Sequence, residues 1–394
     1  MTKYFVWLQC ALGITSSLRT QEILAAFNNN ARAIFDASDY DRRVSGVFTA
    51  QQIDRMKRTT LAQAECICDE CARLKLHMLT PPDELYPALL RHVMNLPLVL
   101  YVRGDLTCLQ HTLPISLVGT RRADRKSVDI ASRLAGDLAR AGCTVVSGGA
   151  LGIDSAAHWG ALQAQGKTVC VLGCGISHGY LPENATLRQR IAQHGAVVSE
   201  YPGNTAPSKH SFPTRNRIIA GICAGTIVVE AGERSGSLIT ATCATEQGRD
   251  VFAVPGDAFG STYTGGNKLI REGAKPVFSS ADVLEEYEVN YAHVLNMRQA
   301  ARDLERVVVA PERVAVKRKP AAVPEAAAQP VELPENLSKL EQALVQCLSA
   351  KPLHIDELAK AASAGLGELF AALTKLEIAG IIKQTPGKFF SRFE

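Results

Sequence analysis

The sequence predicts an α/β fold built on a doubly wound, mostly parallel sheet, and two observations carry that prediction. First, six apolar runs lie between Pro114 and about Ser280, and each ends in small or polar residues. Runs of this kind are typical of parallel strands, because helices cover both faces of such a sheet. Second, the runs start roughly 25 to 30 residues apart, about the length of a strand and its crossover helix. The runs are ISLVGT (115–120), TVVSGG (144–149), TVCVLGCG (168–175), AVVSEYP (196–202), TIVVEAG (226–232) and DVFAVPG (250–256).

The region before the sheet predicts a small helical N-terminal domain. EILAAF (22–27) and AQQIDRM (50–56) have helical patterns, and the region shows little strand character. Residues 316–334 predict an extended linker, because four prolines and repeated alanines there lack a periodic apolar face. The expected organisation is a helical accessory domain (SAM-like or helix-hairpin-helix-like) at 1–84, the sheet domain at 85–298, a linker at 299–335 and a C-terminal domain at 336–394.

The C-terminal domain has the pattern of a winged helix, which consists of three helices and a β-hairpin. The apolar stripe Leu340, Leu344 and Leu348 predicts the first helix, and the second and third helices are predicted at 354–362 and 368–380. The hairpin is predicted at 381–390, with a turn at Pro386 and Gly387. Seven basic against six acidic residues give this domain a net charge of only +1. We therefore expect it to dock a protein partner rather than read duplex DNA, with duplex DNA as the alternative.

The composition is that of an ordinary globular protein. Of 394 residues, 46% are apolar and 21% charged, and the formal net charge is +4. No run reaches the roughly 18 apolar residues of a membrane span, and no basic leader opens the chain, so we expect a cytoplasmic location without membrane contact. Eleven cysteines, an odd number, fit that compartment. No metal site is expected at Cys66, Cys68, Cys71 and His77, because C-x-C spacing on a helix directs its two thiols to different faces.

Residues 209–217, KHSFPTRNR, surround an aromatic ring with positive charge and contain no acid. Single-stranded nucleic acid requires this combination, because phosphates need cations and an unpaired base needs a flat partner. Pro213 can occupy the first position of a helix, whose N-terminal amides would add to the attraction for a phosphate. The alternative interpretation is a solvated basic turn before a helix. The cluster consists of Phe212 with Lys209, His210, Arg215 and Arg217.

Two glycine-containing turns end the first two predicted strands. Gly119, Thr120 and Arg121 follow the first strand, and Ser147, Gly148 and Gly149 follow the second. Ligands of doubly wound sheets bind outside the carboxyl ends of the strands, where small residues let the backbone approach them. Each set taken alone is more typical of a tight strand-to-helix turn, but the convergence of both sets on one sheet edge favours a ligand site.

Enzymatic chemistry finds little support in the sequence. A complete G-x-G-x-x-G motif after the first strand and a complete Walker motif are both absent. Asp154 and His158 lie one helical turn apart, and Glu200 and Glu230 end strands, but no nucleophile or metal set completes a mechanism. Asp154 can act as a helix dipole partner, with His158 as its hydrogen-bond mate. We therefore predict no catalytic residue and no cofactor.

Six ordered motifs over about residues 84–290 together resemble the DNA-processing protein A family (DprA, also called Smf). They are Val118–Arg121 (VGTR), Ser147–His158 (SGGALGIDSAAH), SEYPGN (199–204), FPTRNRIIAG (212–221), VVEAGERSGSLITA (228–241) and GRDVFAVPG (248–256). The resemblance implies a Rossmann-like, non-enzymatic, cytoplasmic protein of natural transformation (competence) and DNA recombination. Such a protein binds and protects single-stranded DNA, loads a RecA-type recombinase on it and forms a homodimer.

The resemblance also implies roles for particular residues. Arg121 and Lys209 would hold phosphates, and Phe212 would stack on a base. The sequence Ser235-Gly236-Ser237 would contact a phosphate or cap the next helix. The remaining residues expected at the DNA site are Gly119, Thr120, Ser147, Gly148, Gly149, His210, Arg215, Asn216 and Arg217.

The rival interpretation is a nucleotide-binding or nucleotide-hydrolysing enzyme. Phosphoribohydrolases of the lysine-decarboxylase-like group are similar at the sheet edge, but they have a P-G-G-x-G-T-x-x-E turn. This chain has E-A-G-E-R-S-G-S-L-I-T at 230–240 instead. Without that turn and its closing glutamate, the sequence favours DNA binding over hydrolysis.

Overall fold

The computed structural model describes residues 1–15, 19–296, 337–348, 353–362, 366–385 and 389–392. The chain forms two compact units, Met1–Arg313 and Val314–Glu394. The predicted linker at 316–334 and the predicted turn at Pro386 and Gly387 lie outside the described residues.

The first unit is organised around a nine-stranded sheet. Its order is β1-β2-β6-β5-β4-β3-β7-β8-β9, and all neighbours from β6 to β9 are parallel, whereas β1 and β2 are antiparallel additions. The six predicted runs are the strands β3 to β8, so the parallel sheet is confirmed. The strands are β1 His77–Leu79, β2 Leu100–Gly104, β3 Leu113–Val118, β4 Cys143–Ser147, β5 Thr168–Leu172, β6 Ala196–Ser199, β7 Gly225–Val228, β8 Asp250–Ala253 and β9 Lys275–Pro276.

Helices cover both faces of this sheet. Leu117 belongs to a core cluster with α7 and α8, and its neighbour Val118 belongs to a second cluster with α10. Because adjacent strand residues point to opposite faces, the two clusters mark the two sides of a doubly wound fold. The helices are α7 Arg125–Arg140, α8 Ile153–Gln163, α9 Ala185–His194, α10 Ser211–Ile222, α11 Gly236–Glu246, α12 Thr264–Arg271 and α13 Ala281–Leu284.

Helices precede the sheet, as the sequence predicts. Their buried residues share one hydrophobic core cluster with β1, β2 and α10. Buried hydrogen bonds add to the connection: the Gln9 amide donates to the Glu200 carbonyl at 3.2 Å and accepts from the Tyr101 hydroxyl at 2.9 Å. The domain boundary at residue 84 stays a prediction. The helices are α1 Thr2–Leu12, α2 Thr20–Ala26, α3 Ala31–Asp36, α4 Asp39–Val44, α5 Ala50–Arg58 and α6 Leu61–Arg73.

The second unit is the predicted winged helix. Its helices are α14 Lys339–Cys347, α15 Ile355–Ala362 and α16 Leu366–Ile378, and its strands are β10 Leu353–His354, β11 Ile382–Thr385 and β12 Phe389–Arg392. The strands form an antiparallel sheet in the order β10-β12-β11. Ser338 and Glu341 form a reciprocal capping box that fixes the start of α14. Leu344, Leu358 and Leu373 meet in the core of this unit.

Candidate nucleic-acid interface

A pocket of about 480 Å³ opens at the carboxyl edge of the sheet. It lies beyond the end of β3, whose neighbours are β4 on one side and β7 on the other. The strand order reverses there, and such switch points are where doubly wound sheets bind ligands. The pocket is lined by Val118, Gly119, Thr120, Arg121, Arg122, Ala150, Asp154, Lys209, Phe212, Pro213, Arg215, Asn216, Ile219, Ser235, Gly236, Ser237, Ile239 and Thr240.

One wall of the pocket is the first turns of α10, which begins at Ser211. Ser211 donates its backbone N–H to the Ser208 hydroxyl at 3.1 Å, and the Ser208 N–H donates to the Ser211 hydroxyl at 3.0 Å. These bonds start the helix two residues earlier than predicted, so the placement of Pro213 at the first helical position is wrong. Pro213 is the third residue instead, where its missing N–H still costs no intrahelical bond.

Phe212 presents a half-buried ring to the pocket. The guanidinium carbon of Arg121 lies 5.3 Å from the ring centroid, which is cation–π geometry. The ring of Tyr180 lies 5.3 Å away, centroid to centroid, with its plane tilted by 43°. A Cβ at Gly173 would come within 2.9 Å of the Phe212 ring, so this glycine allows the ring to lie against the end of β5. The ring is therefore fixed from several sides.

Arg215 lies beneath the pocket and is buried. Its Nη1 donates to the Val171 carbonyl, and its Nε has no hydrogen-bond partner among the described residues. Burial lowers the pKa of the Arg215 guanidinium, and the nearby Asp154 opposes that effect. Burial likewise raises the pKa of the Asp154 carboxyl, with Arg215 acting against it. The base of the pocket therefore holds opposite charges that partly compensate each other.

The first turn of α11 contributes small polar groups. Ser235 caps this helix, because its hydroxyl accepts the Ser237 N–H at 3.4 Å. Gly236 is exposed, and its backbone carbonyl accepts a hydrogen bond from the Asn216 amide at 3.3 Å. This bond connects the second turn of α10 to the start of α11, and residues at the N-termini of both helices line the pocket.

The connection after β3 supplies exposed cations. Thr120 donates its N–H to the Glu230 carbonyl at 2.8 Å, and its carbonyl accepts the Ile153 N–H at 3.2 Å. A Cβ at Gly119 would lie 2.5 Å from Ile153, so only glycine allows the connection to pack this closely. Arg121 and the adjacent Arg122 are exposed, and neither makes an ion pair within the described part of the chain.

Five predicted site residues do not line the pocket. They are Ser147, Gly148, Gly149, His210 and Arg217. Ser147 is buried and donates its hydroxyl to the Leu117 carbonyl at 2.7 Å. Gly148 and Gly149 provide space, because a Cβ at residue 148 would lie 2.0 Å from Arg215 Nη1 and one at residue 149 would lie 2.5 Å from Cys170 Sγ. His210 is exposed just before α10.

Arg217 corrects the sequence prediction most clearly. Its Nη2 lies 2.7 Å from Glu200 Oε1, and both side chains are about 5% exposed. Arg217 Nη1 also donates to the Thr214 carbonyl at 3.2 Å. The expectation that it lines the pocket is wrong, because its charge is used inside the protein in a buried ion pair.

The acid–base candidates have structural partners. His158 Nδ1 lies 2.7 Å from the Thr168 hydroxyl, so the predicted hydrogen bond to Asp154 is not formed. Burial lowers the pKa of His158 to about 3, which keeps its imidazole neutral. Glu200 pairs with Arg217, and the Glu230 carboxylate accepts the Asp124 N–H at 3.3 Å.

Among the residues that the structure describes, no three His, Cys, Asp or Glu side chains cluster closely enough to hold a metal ion. Within the same ranges, none of the helices combines the length and the hydropathy that a membrane span requires.

Two features of the pocket were not predicted from the sequence. Tyr180, which packs on Phe212, follows β5 at the same sheet edge, but the irregular segment after that strand gave no periodic pattern. Asp154 lines the pocket, although the sequence suggested a helix-dipole role for it. The position of both residues after parallel strands was the available signal.

Comparison with known proteins decides the relationship that these motifs suggested. The model of the family "DNA recombination-mediator protein A" matches residues 77–288, more than half of the chain. The chain belongs to this family. A model of the DprA winged helix domain matches residues 325–388. The chain is 44% identical over 202 residues to the DNA processing protein DprA of Bacillus subtilis, covering 51% of this chain and 68% of that one. It is 33% identical over 323 residues to the protein Smf of Synechocystis. That alignment covers 80% of this chain and 79% of the Synechocystis protein.

Solved structures of family members have the same fold. DprA of Streptococcus pneumoniae superposes with a TM-score of 0.63 and 34% identity, over 73% of this chain and 98% of that one. DprA of Helicobacter pylori, whose structure is described in terms of its single-stranded DNA binding mode, superposes with a TM-score of 0.50 and 31% identity. That match covers 55% of this chain and 97% of the Helicobacter chain.

Proposed function

We propose that this protein binds single-stranded DNA in the pocket beyond β3. The observation that carries the proposal is the ring of Phe212, which Arg121 and Tyr180 hold at the pocket. A fixed, partly exposed ring beside a cation can stack on an unpaired base while the cation attracts the adjacent phosphate. The DNA-binding mode described for the related Helicobacter protein supports the same function for this chain.

The charges around the pocket favour a polyanion. Arg121, Arg122 and Lys209 are exposed lining residues without an ion-pair partner among the described residues. Asp154 is the single acid in the lining, and the buried Arg215 compensates it. We assign phosphate contacts to Arg121 and Lys209 and to the amides at the start of α11, and base stacking to Phe212.

The same geometry favours single strands over duplex DNA. The Phe212 ring is set into a pocket rather than displayed on a ridge, so a base must leave its stack to reach it. Unpaired bases have no stack or partner to lose, whereas bases in a duplex do. Sequence preference should be weak, because every base offers a flat face.

Family membership supports a wider role. We infer that the protein protects single-stranded DNA, loads a RecA-type recombinase on it during natural transformation or recombination, and acts in the cytoplasm as a homodimer without enzymatic activity. The winged helix, with its small net charge, is proposed to dock a protein partner rather than to form the primary DNA site.

The central test is a titration of labelled oligo-dT at several salt concentrations. The expected result is tight binding that weakens with salt, with weaker binding of blunt duplex and of a nucleoside monophosphate. Arg121→Ala and Lys209→Ala should each weaken binding and flatten the salt slope. The control is Arg73→Ala, because Arg73 is exposed on α6 and does not line the pocket. Equal affinity for duplex, or release of free base from a nucleotide, would contradict the proposal and favour the enzyme instead.

A further inference from the structure

The turn after β8 carries an exposed phenylalanine at the same sheet edge as the pocket. Phe259 is 98% exposed, although phenylalanine is among the side chains most often buried in folded proteins. β3, β7 and β8 are parallel neighbours, so the connections that follow them all lie at one edge. The segment of residues 255–263 is called the Phe259 loop below.

Hydrogen bonds fix the shape of the Phe259 loop. The Asp257 carboxylate accepts the Phe259 N–H at 2.9 Å. The Asn267 side chain accepts the Gly256 N–H at 3.2 Å and donates to the carbonyls of Gly256 and Asp257, both at 3.3 Å. The ring is therefore presented to solvent by a braced turn.

The Phe259 loop contacts two connections that also form the pocket wall. The Tyr263 hydroxyl donates to Asp124 at 3.2 Å and lies 2.9 Å from the Ser127 hydroxyl, at the start of α7. Asp124 follows the pocket-lining Arg122 by two residues. On the other side, the loop approaches Gly232, which lies three residues before the pocket-lining Ser235. A Cβ built on Gly232 would lie 3.2 Å from the Ser261 carbonyl oxygen.

Each of these two connections carries an exposed arginine, and the second also carries the exposed Glu233. Arg122 lies on the β3–α7 connection and Arg234 on the β7–α11 connection, and both are exposed. Neither makes an ion pair in the part of the chain that the structure describes. An exposed aromatic ring on a surface that also carries unpaired arginines offers a flat face for a base and positive charge for its phosphates.

We propose that Phe259 is a second base-stacking platform, which receives a nucleotide of the strand that leaves the pocket past Arg122 and Arg234. This inference rests on the proposed function, because it assigns a further subsite to the same single-stranded DNA. With Phe259 included, the DNA-binding surface is longer than the pocket. The affinity for single strands should therefore keep increasing for strands that are longer than the pocket can hold.

The test is a length series of oligo-dT, from about 4 to about 20 nucleotides, bound by the full-length protein and by Phe259→Ala. The wild-type affinity should increase in a step once the strand reaches Phe259. In Phe259→Ala that step should be missing, so long strands bind about 5- to 150-fold more weakly while the shortest bind equally. The salt slope should not change, because stacking releases no counterions. Phe259→Trp should retain the step.

A matched control is Tyr40→Ala, which removes an aromatic ring that is 74% exposed on α4, away from the pocket lining. It should leave the whole length series unchanged. The inference would be overturned if Phe259→Ala bound long strands as tightly as the wild type does, or if its affinity fell equally at every strand length. A changed oligomeric state of Phe259→Ala in light scattering would overturn it as well. The proposed function itself would fail separately, if the wild type did not bind short oligo-dT or if Phe212→Ala did not weaken that binding.

Discussion

Arg215 Nη1 lies 2.0 Å from the position that a Cβ would take on residue 148. Gly148, which follows β4, therefore makes room for the buried guanidinium beneath the pocket, rather than for a ligand. Gly148→Ala should displace Arg215 from its bond to the Val171 carbonyl and lower the free energy of unfolding by about 1 to 3 kcal/mol. Urea unfolding measures the change. Gly179→Ala is the control, because no atom lies within 4 Å of its Cβ position, and an equal effect of both variants would contradict this account.

Phe212 and its neighbouring cations should contribute in different ways. Phe212→Ala should cost about 1 to 3 kcal/mol of binding free energy for oligo-dT and leave the salt slope nearly unchanged, because stacking releases no counterions. Arg121→Ala should reduce that slope as well as the affinity. Fluorescence anisotropy over a salt series separates the two effects. If Phe212→Ala unfolded the protein in circular dichroism, the ring would be part of the core rather than of the site.

The buried pair of Arg217 and Glu200 should matter for stability and not for phosphate contacts. Arg217→Met leaves the Glu200 carboxylate buried without its partner, which typically costs about 3 to 5 kcal/mol. The double variant Arg217→Met/Glu200→Met removes both charges and should recover much of that loss in urea unfolding. At temperatures where Arg217→Met is folded, its salt slope for oligo-dT should equal that of the wild type. A flatter slope would return Arg217 to the DNA site.

The buried His158 should make stability depend on pH. Burial lowers the pKa of His158 to about 3 in the folded protein, against about 6.5 in an unfolded chain. Between these two pKa values, the unfolded chain binds more protons at this residue than the folded protein does. The free energy of unfolding therefore falls as the pH is lowered through that window, by up to about 1.4 kcal/mol per pH unit. His158→Gln should remove this contribution. Urea unfolding of both proteins from pH 7 to 4 checks the difference in slope, and parallel curves would contradict it.

The C-terminal unit should add little to the affinity for single strands. Deleting residues 317–394 should leave the affinity for oligo-dT within about threefold, under roughly 1 kcal/mol, because the winged helix has little net charge. Truncated and full-length proteins are to be measured at the same salt concentration. A loss of tenfold or more would place the winged helix in the primary DNA site.

The sequence predicted the elements that have a strong periodic or apolar signal. The strands from Leu113–Val118 to Asp250–Ala253 lie where their patterns indicated. β1 and β9 were not predicted, because strands of three and two residues carry little periodicity, and the five-residue β2 was missed as well. Their pairing depends on contacts between distant segments.

Within the site, local spacing predicted some side chains and not others. Lys209, Phe212 and Arg215 gather at or beneath one pocket, as expected from the cluster. Arg217 does not, because residues two apart on a helix point about 200° apart, and its partner Glu200 is remote in sequence. The contact of Tyr180 with Phe212 was not predicted either. The place of Tyr180 after a parallel strand indicated the sheet edge, but the contact itself follows from the tertiary arrangement of two connections.

The nine-stranded sheet ends on both sides in very short strands. β1 has three residues and β9 has two, the second of them Pro276, which has no N–H to donate. Such edges offer few unpaired backbone groups to another chain, which protects against edge-to-edge aggregation. The proposed homodimer should therefore form through side-chain surfaces, leaving each sheet complete within its own chain.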